Sequence, residues 1–243
     1  LGKGTMSSYE IDASRVAIFI DPLDGTNSYA KGEYDVVTIL VGIIVDDHPC
    51  FGVICKPFGQ LDQPTLPNSG IFAIYGGTLI DGLYITGGGE CAKSAQFKID
   101  RLTPKSERLD PNNQSHDARA VISKSRSKGV VRDCIDDLSS RGLLHPEPVY
   151  VSGAGEKALR LLVGSKHEAL WFFPKPGTSL WDVAAADALL RSVGGRLTDK
   201  NGHDIDYSKS RQEAENINGI IACNDARLHS ECIRLFLEGN WKD

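Results

Sequence analysis

The chain has 243 residues, of which 41% are hydrophobic and 24% are charged, and its formal net charge at pH 7 is −5. This length allows one large domain or two small ones with a sizeable core, and the negative charge argues against a nucleic-acid polymer as partner. No apolar run could cross a membrane, the first ten residues lack a signal-peptide segment, and the six cysteines show no CxxC pair or zinc spacing, so we expect a cytoplasmic protein with reduced thiols.

The first half of the chain has the pattern of strands joined by turns. The apolar run at 16–20 predicts a buried strand. Residues 35–58 predict a β-hairpin around the turn at 46–49, and a second strand pair is predicted at 70–77 and 82–88.

The second half alternates strands and helices. Strands are predicted at 118–125, 148–153, 169–174, 195–199 and 219–225. Helices are predicted at 129–142 (closed by Gly142), 156–164 (ending at Gly164), 182–195 (with Gly194 beyond its end) and 226–239.

Two polar loops interrupt this order, at 61–70 and at 102–117, and the second could separate two halves of the fold, 1–115 and 116–243. The first half is predicted to form antiparallel hairpins and the second half to alternate strands with helices. This order predicts a mixed α/β (α+β) protein.

The most informative stretch follows the first predicted strand and reads DPLDGTNSYAKG. Asp21 and Asp24 would lie close together in a tight turn, where two carboxylates repel each other unless a divalent cation such as Mg²⁺ lies between them. Gly25 permits close approach of the backbone, and Thr26 would begin a short helix whose free amides point at an anion. The Thr26 hydroxyl could also orient a water molecule. The stretch therefore predicts a site for Mg²⁺ and a phosphate group.

Asp182 supplies a third carboxylate. It follows Trp181 and stands in the first turn of a predicted helix, in which Ala184, Ala185 and Ala186 permit close packing. The helix dipole alone is an alternative explanation for an acidic residue at this position.

Two other interpretations of the first stretch stay open at this point. Asp24 could be a simple helix N-cap and Asp21 a turn residue. A hydrophobic strand followed by DxDGT is typical of haloacid-dehalogenase-like phosphatases, in which the first Asp is a covalent nucleophile. Here the spacing is one residue longer, which takes the second carboxylate out of its role.

The two pieces together resemble a known superfamily. DPLDGTNSYAKG resembles the metal-binding signature of the lithium-sensitive, Mg²⁺-dependent phosphomonoesterases, which include inositol monophosphatase, inositol polyphosphate 1-phosphatase and 3′(2′),5′-bisphosphate nucleotidase. LWDVAAADALLRSVGGRLTD is similar to their second signature, and the resemblance runs from about residue 9 to the C-terminus. It implies a layered αβαβα sandwich of the inositol monophosphatase/fructose-1,6-bisphosphatase type, here without its N-terminal helical part.

The resemblance also implies two or three Mg²⁺ ions, inhibition by Li⁺, and direct in-line hydrolysis of a phosphomonoester. The implied metal ligands are Asp21, Leu23 (through its carbonyl), Asp24 and Asp182. Asp21 would bridge two ions and, with the Thr26 hydroxyl, take part in catalysis, while the amides of Gly25 and Thr26 would bind the phosphate. Residues 1–115 would then be the metal- and phosphate-binding β half, and 116–243 the α/β half with the substrate loops.

One part of the family pattern is missing. Family members carry an N-terminal region with a glutamate ligand, usually in a Glu-Glu pair, and an acid that helps a threonine to activate water. No such pair exists here, and we expect Glu10 and Asp12 to be solvated surface charges. We therefore expect the isolated 243 residues to be weak or inactive, although the parent protein would be an enzyme.

Two loops would form the pocket for the leaving group. SKSRSKG resembles a Ser-Arg-Ser-His stretch of the nucleotidases, with Lys128 in place of the histidine, and SGAGEK resembles their Gly-Ala-Gly-x-Lys segment, where exposed backbone would suit a second phosphate or a flat base. The candidate substrate-binding residues are Ser125, Arg126, Lys128, Gly153, Ala154, Gly155 and Lys157; solvated loop and helix residues are the alternative for the charged ones.

The partner that the resemblance implies is a small phosphorylated substrate, preferably 3′-phosphoadenosine 5′-phosphate, which would give AMP and phosphate. Inositol 1,4-bisphosphate is the alternative substrate, and a phosphate-binding module without turnover is the non-enzyme alternative. We expect Asp24→Asn or Asp182→Asn to remove turnover with little loss of fold. The sequence carries no signal for the oligomeric state.

Overall fold

The computed structural model describes residues 10–58, 71–87, 99–102, 118–164, 166–239 and 241. The predicted loop at 61–70 lies outside the described residues, and so does the predicted loop at 102–117 except for Leu102, which ends a strand. The strands are β1 Val16–Asp24, β2 Thr38–Val45, β3 His48–Lys56, β4 Phe72–Gly77, β5 Ile80–Gly87, β6 Ile99–Leu102, β7 Arg119–Ser123, β8 Val149–Val151, β9 Glu168–Phe173, β10 Arg196–Thr198 and β11 Ile220–Cys223. The helices are α1 Thr26–Tyr29, α2 Val130–Ser140, α3 Ala154–Val163, α4 Leu180–Ser192 and α5 Ala226–Glu238.

The first sheet contains six antiparallel strands in chain order, β1-β2-β3-β4-β5-β6. The predicted hairpins are confirmed, and β2 and β3 are joined at Asp46 and Asp47, whose φ angles of 49° and 61° suit a two-residue hairpin turn. The strand predicted at 16–20 is present, but its predicted burial is wrong. β1 lies at the edge of the sheet, and Ile18 and Ile20 are 58% and 57% exposed. Both side chains lie on the face of the sheet opposite α3 and α4, and an apolar run does not reveal which face of a sheet is covered by another layer.

The second sheet has the order β10-β11-β9-β7-β8. β7 pairs in parallel with β8 and β9, whereas β11 is antiparallel to both of its neighbours. The strands and helices predicted for this half are all present. Gly142 and Gly194, which follow α2 and α4, have φ angles of 76° and 80°, a conformation that glycine adopts readily.

The elements stack in four layers. α3 and α4 lie between the two sheets, where one core cluster joins them to the inner face of the first sheet and to the second sheet. A second cluster fills the space between the second sheet and α2 and α5. The predicted mixed α/β fold is therefore confirmed, and the described residues form every layer of the five-layer sandwich except its first helical one.

α4 packs against the first sheet with almost no space between the backbones. A Cβ atom at Gly42 would lie 2.5 Å from the Ala184 Cβ, and a Cβ atom at Gly52 would lie 2.3 Å from the Ala185 carbonyl oxygen. The predicted close packing of the alanine-rich helix is confirmed, and it places the N-terminus of α4 near the end of β1.

The outer face of the first sheet is apolar, and α3 and α4 contact the opposite face. The strand register places on this outer face a set of apolar side chains, none of them buried, that includes Ile18, Ile20, Val41, Ile43, Val53 and Tyr75.

None of the helices in the described ranges has both the length and the apolar character needed to cross a bilayer. Five cysteines are free: Cys134, Cys223 and Cys232 are buried, and Cys50 and Cys55 are partly exposed. Cys91 lies outside the described residues.

Candidate metal and phosphate site

Asp21 and Asp24 reach the same face of the first sheet through an irregularity in β1. Asp21 pairs with Leu40 and Asp24 pairs with Thr38, so three steps along β1 match two steps along β2. Side chains three residues apart in a regular strand would point to opposite faces. The irregularity therefore brings the two carboxylates together, as the sequence predicted.

The turn that follows is fixed by local hydrogen bonds. The Leu23 amide donates to Asp21 Oδ1 at 3.0 Å, and the Thr26 hydroxyl donates to the Leu23 carbonyl at 2.9 Å. Gly25 has a φ angle of 85°, which favours glycine, and immediately precedes α1. The Leu23 carbonyl and the Thr26 hydroxyl are thus held against each other beside Asp21.

Asp24 is buried and accepts three hydrogen bonds. Its Oδ1 accepts from the Ala154 amide at 3.0 Å, and its Oδ2 accepts from the Gly155 amide at 2.8 Å and from the Thr38 hydroxyl at 2.7 Å. The two amides belong to the first turn of α3, where a carboxylate is stabilised by the helix dipole. Asp24 therefore holds the N-terminus of a helix that lies 130 residues away in the sequence.

This arrangement differs from the predicted role of the Gly-Ala-Gly turn. The amides of Ala154 and Gly155 donate to Asp24, so they are not free to bind a second phosphate or a base. A Cβ atom at Gly155 would lie 2.2 Å from the Thr38 hydroxyl oxygen. The second glycine of the turn therefore permits close packing of α3 on β2, a role that the sequence alone did not reveal.

Asp182 is the third residue of α4. Its Oδ2 accepts a hydrogen bond from the Ser179 amide at 2.7 Å, and Ser179 and Asp182 form a capping box. Ser179 was not among the predicted site residues, although the spacing Ser-x-x-Asp before an apolar helix is typical of a capping box. The cap fixes both the start of α4 and the direction of its carboxylate.

The three carboxylates converge. Asp21, Asp24 and Asp182 each offer an oxygen, and these oxygens lie within 4.8 Å of one another. Burial, with the charges of Asp24 and Asp21 adding to it, raises the pKa of Asp182 to about 7, and burial also raises the pKa of Asp21. A divalent cation would relieve this repulsion, and hard carboxylate oxygens suit Mg²⁺. The residues present therefore fit such an ion.

The cluster lines a cavity of about 780 Å³. The cavity is also lined by hydroxyl groups and by four cationic side chains, namely Lys31, Lys124, Arg126 and Lys157. Of the predicted substrate residues, five line it: Ser125, Arg126, Gly153, Ala154 and Lys157. Lys128 is exposed and is not one of the described residues that line the cavity.

Lys157 and Arg126 are held in place by neighbouring groups. The Lys157 ammonium donates to the Gly153 carbonyl at 2.7 Å and lies 5.7 Å from the centre of a Trp171 ring, and burial lowers its pKa to about 8. The Arg126 guanidinium lies 4.8 Å from the centre of the Phe173 ring. Both cations therefore face the cavity from fixed positions.

Upstream of β1, Glu10 and Asp12 are exposed, as predicted. Asp12 accepts hydrogen bonds from the Ser14 amide and hydroxyl at 2.9 and 2.8 Å, so it caps a short 3-10 turn. The described residues before β1 therefore add no carboxylate to the cluster.

Comparison with known proteins gives one consistent result. Residues 2–237 match the Inositol monophosphatase family. The chain is 34% identical over 213 residues to 3′(2′),5′-bisphosphate nucleotidase 1 of Dictyostelium discoideum, and the alignment covers 84% of this chain and 58% of the relative. It is 28% identical to the human protein of the same name (85% and 57% covered) and 29% identical to inositol monophosphatase 3 of Danio rerio (82% and 48% covered). The chain thus spans about half the length of these relatives.

Solved structures of similar fold include CysQ from Bacteroides thetaiotaomicron, described as a bacterial member of the inositol monophosphatase family. The TM-score is 0.60 at 19% identity, with 90% of this chain and 75% of that chain covered. An inositol monophosphatase from Zymomonas mobilis has a TM-score of 0.58 at 15% identity, with 93% and 72% covered.

Proposed function

Because this chain belongs to the inositol monophosphatase family, we propose that it carries most of the active site of a Mg²⁺-dependent phosphomonoesterase. The observation that carries the proposal is the convergence of Asp21, Asp24 and Asp182 within 4.8 Å on the wall of a cavity with cationic side chains. The reaction is the hydrolysis of a phosphomonoester by direct attack of water.

The metal ligands are the ones implied by the resemblance: Asp21, the Leu23 carbonyl, Asp24 and Asp182. Bound Mg²⁺ would neutralise the charge of the phosphoryl oxygens and lower the pKa of a coordinated water. Li⁺ would inhibit by competing at the same site. The hydrogen bonds of Asp24 leave one lone pair on its oxygens for an ion, because a carboxylate offers about four acceptor positions and three are used.

The chain's own groups orient the phosphate and the water. The amides of Gly25 and Thr26 stand at the start of α1, where they need partners from outside the helix. The Thr26 hydroxyl donates its proton to the Leu23 carbonyl, so its oxygen lone pairs can accept a hydrogen bond from the attacking water. This bond would fix the water in line with the phosphate.

The preferred substrate is 3′-phosphoadenosine 5′-phosphate, which gives AMP and phosphate. Two observations favour a substrate with two phosphates: the cationic lining includes the fixed pair Arg126 and Lys157, and several of the similar curated proteins are named bisphosphate nucleotidases. Inositol 1,4-bisphosphate is the second candidate. A phosphate-binding module without turnover is the non-enzyme alternative, supported by the absence of a glutamate ligand from the described residues.

The test is a substrate panel on a full-length protein that contains these residues. The panel contains 3′-phosphoadenosine 5′-phosphate, inositol 1,4-bisphosphate, inositol 1-phosphate and fructose 1,6-bisphosphate, each with Mg²⁺ and with or without Li⁺. We expect the first to have the highest kcat/KM, and we expect Asp182→Asn to remove activity on all four. Phosphate release that does not depend on Mg²⁺ would refute the proposal, and an inert protein that still binds phosphate would establish the binding module.

A further inference from the structure

A fully buried ion pair lies close to the carboxylate cluster but is not part of it. Lys56, at the end of β3, is 0% exposed, and its ammonium lies 2.6 Å from the carboxylate of Glu156, which is 1% exposed. The attraction within a buried pair barely offsets the cost of removing both charges from water, so such a pair is weak evidence for a purely stabilising role. The position of the pair beside Asp24 indicates a further role.

Lys56 contacts both segments that hold Asp24. Glu156 directly follows Ala154 and Gly155, whose amides donate to the Asp24 carboxylate. The Lys56 ammonium also donates to the Asp35 carbonyl, in the 3-10 turn that leads into the start of β2. β2 begins with the threonine whose hydroxyl donates to the same carboxylate. One ammonium group therefore joins the two segments that supply all three hydrogen bonds of Asp24.

The pair is rigid because Glu156 is held by a second cation. Its other oxygen accepts a hydrogen bond from Arg160 Nε at 3.0 Å, one turn later in α3, and Arg160 also reaches Glu168 on β9 at 3.4 Å. The Glu156 carboxylate cannot rotate without breaking one of these bonds. The first turn of α3 is thereby fixed to both sheets.

We propose that Lys56 and Glu156 are positioning residues, which hold the first turn of α3 and the start of β2 so that the Asp24 carboxylate faces Asp21 and Asp182. The role in metal binding rests on the proposed function, whereas the role in fixing the amides of α3 does not. Without the pair, the first turn of α3 can shift along the sheet, and the Asp24 carboxylate turns with it.

The test uses the double variant Lys56→Met/Glu156→Gln, because Glu156→Gln alone leaves the Lys56 charge unpaired in the core and can prevent folding. Lys56→Met alone leaves Glu156 paired with Arg160 and so does not remove the buried charge. The glutamine introduced in this variant would keep the oxygen that accepts from Arg160. The control is Ile135→Ala, in the core cluster on the far side of the second sheet, which lowers the melting temperature without touching the site. Both proteins are compared with wild type by NMR amide exchange and by calorimetric titration with Mn²⁺.

We expect the amides of residues 154 and 155 to exchange about tenfold faster in the double variant, relative to amides of α5, and to be unchanged in Ile135→Ala. We expect Mn²⁺ to bind about 10- to 100-fold more weakly, the usual effect of removing groups that orient a metal ligand. The proposal would be overturned if the double variant had a lowered melting temperature but kept the wild-type exchange rates of the amides of residues 154 and 155 and the wild-type affinity for Mn²⁺. If wild type takes up no Mn²⁺, the proposed metal site fails, and amide exchange alone decides the positioning role.

Discussion

The contact between α4 and the first sheet allows a quantitative test of how Asp182 is placed. In Gly52→Ala the new Cβ atom would lie 2.3 Å from the Ala185 carbonyl oxygen and 3.1 Å from the Ala185 carbonyl carbon. Real Cβ atoms stay at least 3.0 Å from such atoms, so the backbone of α4 must retreat by about 0.7 Å. Backbone atoms cannot avoid the clash by a rotamer change, so the helix moves.

The expected effect has two parts. Overpacking of this kind lowers the free energy of unfolding by about 1–3 kcal/mol, or roughly 2–12 °C in Tm for a chain of this size. The same movement shifts Asp182 at the start of α4, and a misplacement of about 1 Å can cost about 100-fold in rate. We therefore expect kcat/KM in the full-length enzyme to fall about 10- to 100-fold, with weaker dependence on Mg²⁺.

The assay is phosphate release against Mg²⁺ concentration, together with thermal unfolding. The matched control is Val53→Ala, the next residue of β3, whose side chain lies on the outer face of the sheet away from α4. We expect wild-type kinetics in the control. Wild-type kinetics in Gly52→Ala, with a lowered Tm, would refute the reasoning, because α4 could then move without moving the carboxylate that it carries.

Three further changes separate the roles of single groups. Asp182→Asn should remove turnover and Mn²⁺ binding with a change in unfolding free energy of less than about 1 kcal/mol, since an asparagine oxygen can still accept from the Ser179 amide; strong Mn²⁺ binding would contradict this. Lys157→Met should raise the KM for 3′-phosphoadenosine 5′-phosphate about 10- to 100-fold, which is the usual effect of losing a hydrogen bond to a charged group. The KM for inositol 1-phosphate should rise much less. Equal effects on both substrates would show that Lys157 does not contact the second phosphate. Burial lowers the pKa of His229 to about 4 from 6.5, so the unfolded state takes up a proton first, and the stability contributed by the neutral imidazole falls as pH drops from 6.5 towards 4. Burial raises the pKa of Asp182 to about 7 and that of Asp187 to about 6, which acts in the opposite direction, so the quantity to measure is the difference in unfolding free energy between wild type and His229→Gln. Urea unfolding should show this difference shrink by about 2 kcal/mol between pH 7 and pH 5; a constant difference would place the titration elsewhere.

The sequence predicted those features that depend on neighbouring residues. The hairpin at Asp46 and Asp47, the helix ends at Gly142 and Gly194, and the turn after β1 all follow from local preferences of glycine and aspartate. The carboxylate cluster was predicted because each of its members lies in a recognisable local motif. The assignment of 1–115 and 116–243 to two functional halves stays a prediction.

Features that join distant segments could not be predicted in this way. The hydrogen bonds from the first turn of α3 to Asp24 span 130 residues, and the pair Lys56–Glu156 spans 100. Lys56 lies in no motif, and Glu156 occupies the unspecified position of the Gly-Ala-Gly-x-Lys segment. A lysine in an apolar strand is equally compatible with a surface position. The exposure of β1 depends on which layers cover the first sheet, and a single strand carries no information on that.

These long-range contacts change what a substitution at Asp24 means. The sequence predicted that Asp24→Asn would spare the fold, on the assumption that the carboxylate serves only an ion. In the structure the same carboxylate is buried and accepts hydrogen bonds from two amides of α3 and from the Thr38 hydroxyl. The NH₂ group of an asparagine at this position would face at least one of these donors. An unsatisfied buried donor costs about 1–3 kcal/mol, so Asp24→Asn weakens the fold and the metal site together.

Asp182→Asn avoids that penalty, because the oxygen of the new amide can take the place of Oδ2 as acceptor from the Ser179 amide. Its NH₂ group would then point towards the carboxylates of Asp21 and Asp24, which are acceptors. Loss of Mn²⁺ binding in Asp182→Asn can therefore be attributed to the missing charge, whereas the same loss in Asp24→Asn cannot be separated from the movement of α3.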